Sequence, residues 1–250
     1  MTTGDSLPAR ICRFVTDPDT FFQQLAASPA RFHWPLVIVL AAGLCSAITT
    51  WLIAGWMMPA FALASSAAGH PDGFISAVTG FTVIFAPLCA LAGPVVILVG
   101  AAANFYILAG FVSKTGSFSH VLSAVGWGMV PLAIYEAVRI PLLLAYLPGM
   151  SLTVSPELFM LSRSSPFAFS SGSAALAGMF TYNQVFYTVA AANAILHVLA
   201  YLACAWFWVP AVRHTCAVGH RHALLIVLVP LLLFLALSFG PSLVSGTHGL

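Results

Sequence analysis

Apolar residues run along this chain in long tracts parted by short polar breaks, and the tract lengths predict membrane-spanning helices. Residues 36–42 and 224–237 hold no polar side chain at all. A helix that crosses a hydrocarbon core about 30 Å thick needs on the order of 20 consecutive apolar residues. A membrane barrel would instead show strands of roughly 10 residues with alternating polarity, and only helices or closed barrels satisfy the backbone in lipid. The expected fold class is all-α, a polytopic transmembrane helix bundle of about five spans.

The breaks put the spans near residues 35–57, 95–112, 118–147, 184–209 and 223–239, within a transmembrane domain over 35–245. The tract 74–112 is the ambiguous one. As one helix it would be about 58 Å long at 1.5 Å per residue, nearly twice the hydrocarbon thickness. Gly93-Pro94 is the expected break, with 74–92 interfacial or spanning and 95–112 spanning. Lys and Arg accumulate in cytoplasmic loops, and this decides the count. With five spans and a cytoplasmic N-terminus, Arg10, Arg13, Arg31, Lys114, Arg213 and Arg221 are inside and Arg163 is outside. Two full crossings in 74–112 would carry Lys114, Arg213 and Arg221 outward and Arg163 inward. Trp34, Trp51, Trp56, Trp206 and Trp208 stand toward the span ends, as interfacial aromatic belts predict.

Residues 1–34 form a cytoplasmic N-terminal segment with one short amphipathic helix. Asp17 is its N-cap, Pro18 opens it, and it ends near Ser28-Pro29. Phe21, Phe22 and Leu25 share one side, suited to lying along the membrane surface or to docking on the bundle's end. Asp5, Arg10, Arg13, Asp17 and Asp19 interrupt the segment, so it lacks the apolar core of a cleaved signal peptide.

Composition agrees with the pattern: 61% of residues are hydrophobic and 6% charged. The net charge of +2 is too small and too scattered for a nucleic-acid footprint. The five cysteines make no even-numbered framework, so free thiols are expected.

Candidate chemistry is sparse. Glu136 and Arg139 lie three apart in the middle of the third span. Two unpaired central charges would cost about 5–7 kcal/mol, which offsets the insertion energy of that span's aliphatic residues. Both are therefore expected to face the bundle interior and to pair, with each other or with Asn104, Asn193 or His197. Helix-to-helix glue is the favoured role, and a transporter or channel path is the alternative. Pro131 and Pro141 bracket the pair and mark sites for kinks. The loop from His214 to His222 gathers His214, Cys216, His220 and His222, a soft ligand set for zinc or copper. Its spacing fits no standard site and Arg213 and Arg221 oppose a cation, so no metal and no cofactor are expected. Ser113-Lys114-Thr115 lacks the glycine of a phosphate-binding loop, and neither G-x-S-x-G nor H-E-x-x-H occurs. No enzyme active site is expected. Ala42 with Ser46, and Gly126 with Gly128, are small enough to let helices approach closely.

Gly116-Ser117-Phe118 followed by Leu122-x-x-Val125-Gly126-Trp127-Gly128-x-Val130-Pro131 resembles the Yip domain family, the Ypt/Rab-interacting membrane proteins. Asp17-Pro18-Asp19-x-Phe21-Phe22, with Pro35 opening the first span, is similar to the short prokaryotic members, and the resemblance covers roughly residues 15–240. It implies a multi-pass protein, of the cell membrane if prokaryotic, with a membrane-organising or adaptor role. The partners it implies are the lipid bilayer and either a protein or a second copy of the chain. Only Gly116, Gly126 and Pro131 carry over as motif residues, in structural roles.

Overall fold

The computed structural model describes residues 7–67, 71–113, 116–154 and 180–246. Helices α1 (Leu7–Thr16) and α2 (Pro18–Ala27) precede the long α3 (His33–Ala67) and α4 (Asp72–Gly110). Next come α5 (Phe118–Trp127), α6 (Val130–Tyr146) and a 3-10 turn at Leu147–Gly149. Two three-residue strands, β1 (Leu152–Val154) and β2 (Phe180–Tyr182), pair antiparallel with Thr153 opposite Thr181. The chain ends in α7 (Gln184–Thr215) and α8 (His220–Gly246). Lys114 and Arg163, two of the charges that set the expected topology, lie outside the described residues.

Among the described residues four segments, His33–Leu63, Ile75–Gly110, Phe118–Gly149 and Gln184–Thr215, are long and apolar enough to cross a bilayer. α8 adds a shorter apolar stretch, His220–Ala236. Their outward faces are themselves apolar: Leu36, Val37, Leu40 and Leu44 on α3, Phe81, Ile84 and Leu88 on α4, and Val229, Leu232 and Leu233 on α8 are exposed. In water such patches would drive association. In lipid they are the solvated surface, and the fold is a polytopic helical bundle.

The expected break at Gly93-Pro94 does not occur, because α4 is one helix of 39 residues. In hydrocarbon a break strands several backbone N–H and C=O groups, whereas an interior proline forfeits one hydrogen bond. Continuing the helix costs less. An unbroken helix also cannot double back, so the tract cannot supply two crossings. The opposite happens in 118–147, expected as one span: the helix is interrupted at Gly128-Met129, and Pro131 falls in the first turn of α6, where its missing N–H costs nothing. Pro141 remains inside α6.

The described chain divides into two compact units. One comprises Met1–Leu44, Leu91–Glu136 and Leu196–Leu250, and the other Cys45–Ala90 and Ala137–Ile195. In the second unit Asn183 caps α7, its carbonyl accepting from Phe186 N–H at 3.1 Å while its amide donates to Gly149 C=O at 2.8 Å. Trp56 stacks on Phe186 at 6.0 Å. The first unit holds the main core, built around Val121, Val125, Met129, Cys204, Val212 and Val227, all fully buried.

Candidate functional site

The motif residues are concentrated on α5, and the geometry gives each a task. Ser117 caps the helix, its hydroxyl accepting from the His120 backbone N–H. Gly116 has φ +124°, and a Cβ there would sit 2.8 Å from the Thr215 carbonyl, so the turn into α5 needs glycine twice over. A Cβ on Gly126 would lie 2.6 Å from Cβ of Pro35, which is buried at the start of α3. One on Gly128 would collide with the Trp208 indole. The interruption after α5 explains that indole. Met129 N–H bonds the Gly126 carbonyl at 3.2 Å instead of the Val125 carbonyl one residue earlier. Val125 C=O is thereby released, and buried Trp208 donates its Nε1–H to it at 3.0 Å. Trp208 thus serves α5 from within the bundle and is not part of an interfacial belt, whereas Trp51 and Trp206 are exposed.

The N-terminal segment is docked on protein. Phe14, Phe21 and Phe22 are fully buried, and Phe14 stacks on Phe207 at 4.2 Å while Phe21 meets Trp127 edge-on at 5.1 Å. Each such ring contributes about 1.5–3 kcal/mol when buried. α1 is a second helix beyond the one expected. Its signal was present, since Leu7, Ile11 and Phe14 recur at helical spacing between arginines. Asp19 at the start of α2 accepts from Arg213 Nη1 at 3.1 Å and is 3.0 Å from His214 Nε2, at the end of α7. The hydrogen bond to His214, more than the charge of Arg213, holds the Asp19 carboxyl below its ordinary range. His120 Nε2–H reaches the Ser28 carbonyl at 3.0 Å, and Ser117 Oγ lies 2.7 Å from its Nδ1. Residues 19–31, 116–123 and 213–216 therefore meet at one end of the first unit.

Glu136 is 6% exposed, on the face of α6 that also buries Tyr135 and Leu132. His197, on α7, stacks between Tyr135 at 4.9 Å and Tyr201 at 4.8 Å, and Tyr201 is within electrostatic reach of Glu136 and Cys204. The result is a polar set of buried Tyr135, Glu136, Tyr201 and Cys204 with half-buried His197, of which the sequence singles out only Glu136 and His197. The tyrosines and Cys204 read as ordinary span residues until the helices bring them together. Arg139 is half-buried one turn beyond Glu136, Asn193 is half-buried one turn before His197, and Asn104 lies on the exposed face of α4.

The loop from His214 to His222 does not converge as a metal set. His214 is committed to Asp19, and Cys216 is buried, which pushes its thiol above the ordinary range and away from the thiolate a metal needs. Among the described residues no three His, Cys, Asp or Glu side chains are grouped to hold an ion. All five cysteines are free.

An apolar exterior, four span-length segments and a buried polar set define a multi-pass helical membrane protein. The family model for the Yip1 domain matches residues 13–240, and the chain belongs to that family. No curated protein and no solved structure matches it.

Proposed function

We propose that this chain is a non-enzymatic membrane-organising or adaptor protein of the cell membrane. In this reading it crosses five times from a cytoplasmic N-terminus and works through contacts with protein or a second copy of itself. One observation carries the reading: the motif residues Gly116, Gly126 and Pro131, with Gly128 beside them, set shape and close approach, while α1 and α2 are locked by aromatic packing into a fixed platform. The platform, the turn before α5 and the turn after α7 meet at one end, which supports a common cytoplasmic side for Arg10, Arg31, Arg213 and Arg221. Cross-linking in native membranes followed by purification in mild detergent tests it. A reproducible protein partner or homo-oligomer is expected, and its loss when platform residues are changed. Robust solute flux by purified protein in liposomes, with no cross-linked species, contradicts it.

The buried set around Glu136 favours a second reading, a small transporter or channel. Glu136→Gln with Arg139→Met should then abolish flux in a protein that still melts like the parent. A lowered melting temperature with no flux to lose identifies the set as helix-to-helix glue.

A further inference from the structure

Between the platform and the first long helix lies a cavity of about 90 Å³ whose walls include Arg10, Ser28, Arg31, Trp34 and Trp127. It has room for several waters, since each needs about 10–15 Å³, and hence for a tetrahedral oxyanion. Among the described residues no acidic side chain lines it. Arg10 is buried on α1 beside Leu25, whereas Arg31 is exposed in the segment between α2 and α3. A guanidinium carries five N–H donors in a planar fork, so it can keep a protein partner and still meet a ligand oxygen. It is also weakly hydrated and favourable beside indoles.

The segment is held rigidly. His120 Nε2–H donates to the Ser28 carbonyl at 3.0 Å, and Ser123 Oγ–H donates to the Arg31 carbonyl at 2.9 Å. Both wall residues are therefore pinned to α5 before any ligand arrives. Depth identifies the occupant. The exposed apolar face of α3 begins with Leu36 and Val37, two residues past Trp34, and Phe32 is exposed just before it. The cavity thus opens where hydrocarbon gives way to headgroups, and Trp34 stands at that boundary as interfacial tryptophans do.

We propose that this cavity binds the phosphate of an anionic glycerophospholipid headgroup, with Arg10 and Arg31 meeting the phosphate oxygens and Trp34 and Trp127 walling the site. The site is independent of the adaptor reading. The test uses the full chain in a nonionic detergent, with melting followed during titration by short-chain phosphatidylglycerol, short-chain phosphatidylcholine or inorganic phosphate. Saturable stabilisation by phosphatidylglycerol is expected, weaker with phosphatidylcholine and absent with inorganic phosphate at equal concentration. Arg31→Gln, at an exposed position that leaves the fold intact, should weaken phosphatidylglycerol about tenfold, the loss of one charge-assisted contact. Arg10→Lys keeps the charge but removes the fork and should weaken it as well. Equal affinity of parent and Arg31→Gln, or equal stabilisation by both lipids, overturns the proposal. Stabilisation by inorganic phosphate alone overturns the lipid assignment in favour of a soluble anion.

Discussion

Single residues in the α5 segment carry disproportionate weight, because two helices and an indole approach it with no slack. Gly126→Ala places a methyl carbon 2.6 Å from Pro35 Cβ and should cost about 1–3 kcal/mol, read as a lower melting temperature in detergent. Trp208→Phe keeps an aromatic ring but removes the indole N–H and part of the buried volume, leaving the Val125 carbonyl unsatisfied, a loss of at least about 1–3 kcal/mol. Asp19 gives a pH dependence with a defined sign. Its folded pKa lies below 3.8, so its contribution is present above that value and is lost as pH falls through the lower, folded one. With the side chain 54% exposed the effect is small. Limited proteolysis of residues 7–27 should accelerate below about pH 4, and Asp19→Asn should show that faster cleavage already at neutral pH. None of these roles except the small size of Gly126 and Gly128 was legible in the sequence. The partners are far away along the chain, Trp208 being 83 residues from Val125.

Elements were legible where local chemistry speaks and illegible where the solvent or a distant partner decides. α2 follows from Asp17 and Pro18, and its cap is present, Asp17 accepting from Thr20 N–H at 3.2 Å. Proline and glycine misled twice, in opposite directions. At Gly93-Pro94 they suggest a stop, yet lipid makes continuation the cheaper outcome and α4 runs through. At Gly128 the interruption gives Trp208 its space and the freed carbonyl, and Pro131 marks only a kink nearby without showing that partner. Pro94→Ala should accordingly leave the topology unchanged and restore one helix hydrogen bond, with a change in stability of about 1 kcal/mol or less. For α1, Phe14→Ala should cost about 3 kcal/mol of platform docking and expose the segment to protease, because that ring is fully buried against Phe207.

At the scale of the whole molecule the apolar tracts were enough to give the class, since a chain with 6% charged residues has no other way to solvate such surface. The polar interior was only half legible. Glu136 stands out as an ionisable residue in a span, but its companions Tyr135, Tyr201 and Cys204 gain meaning only once α6 and α7 pack. Hydrogen bonds gather Ser28, His120, Asp19 and His214 at one end of a single unit. The most direct test is a protease site inserted at Ser113 and, in a second variant, at Asp72, each probed in intact cells and in opened membranes. Cleavage at Asp72 in intact cells, and at Ser113 only once the membranes are opened, is the expected result. Cleavage of both sites from the same side would mean that α4 does not cross, and would contradict the five-span bundle.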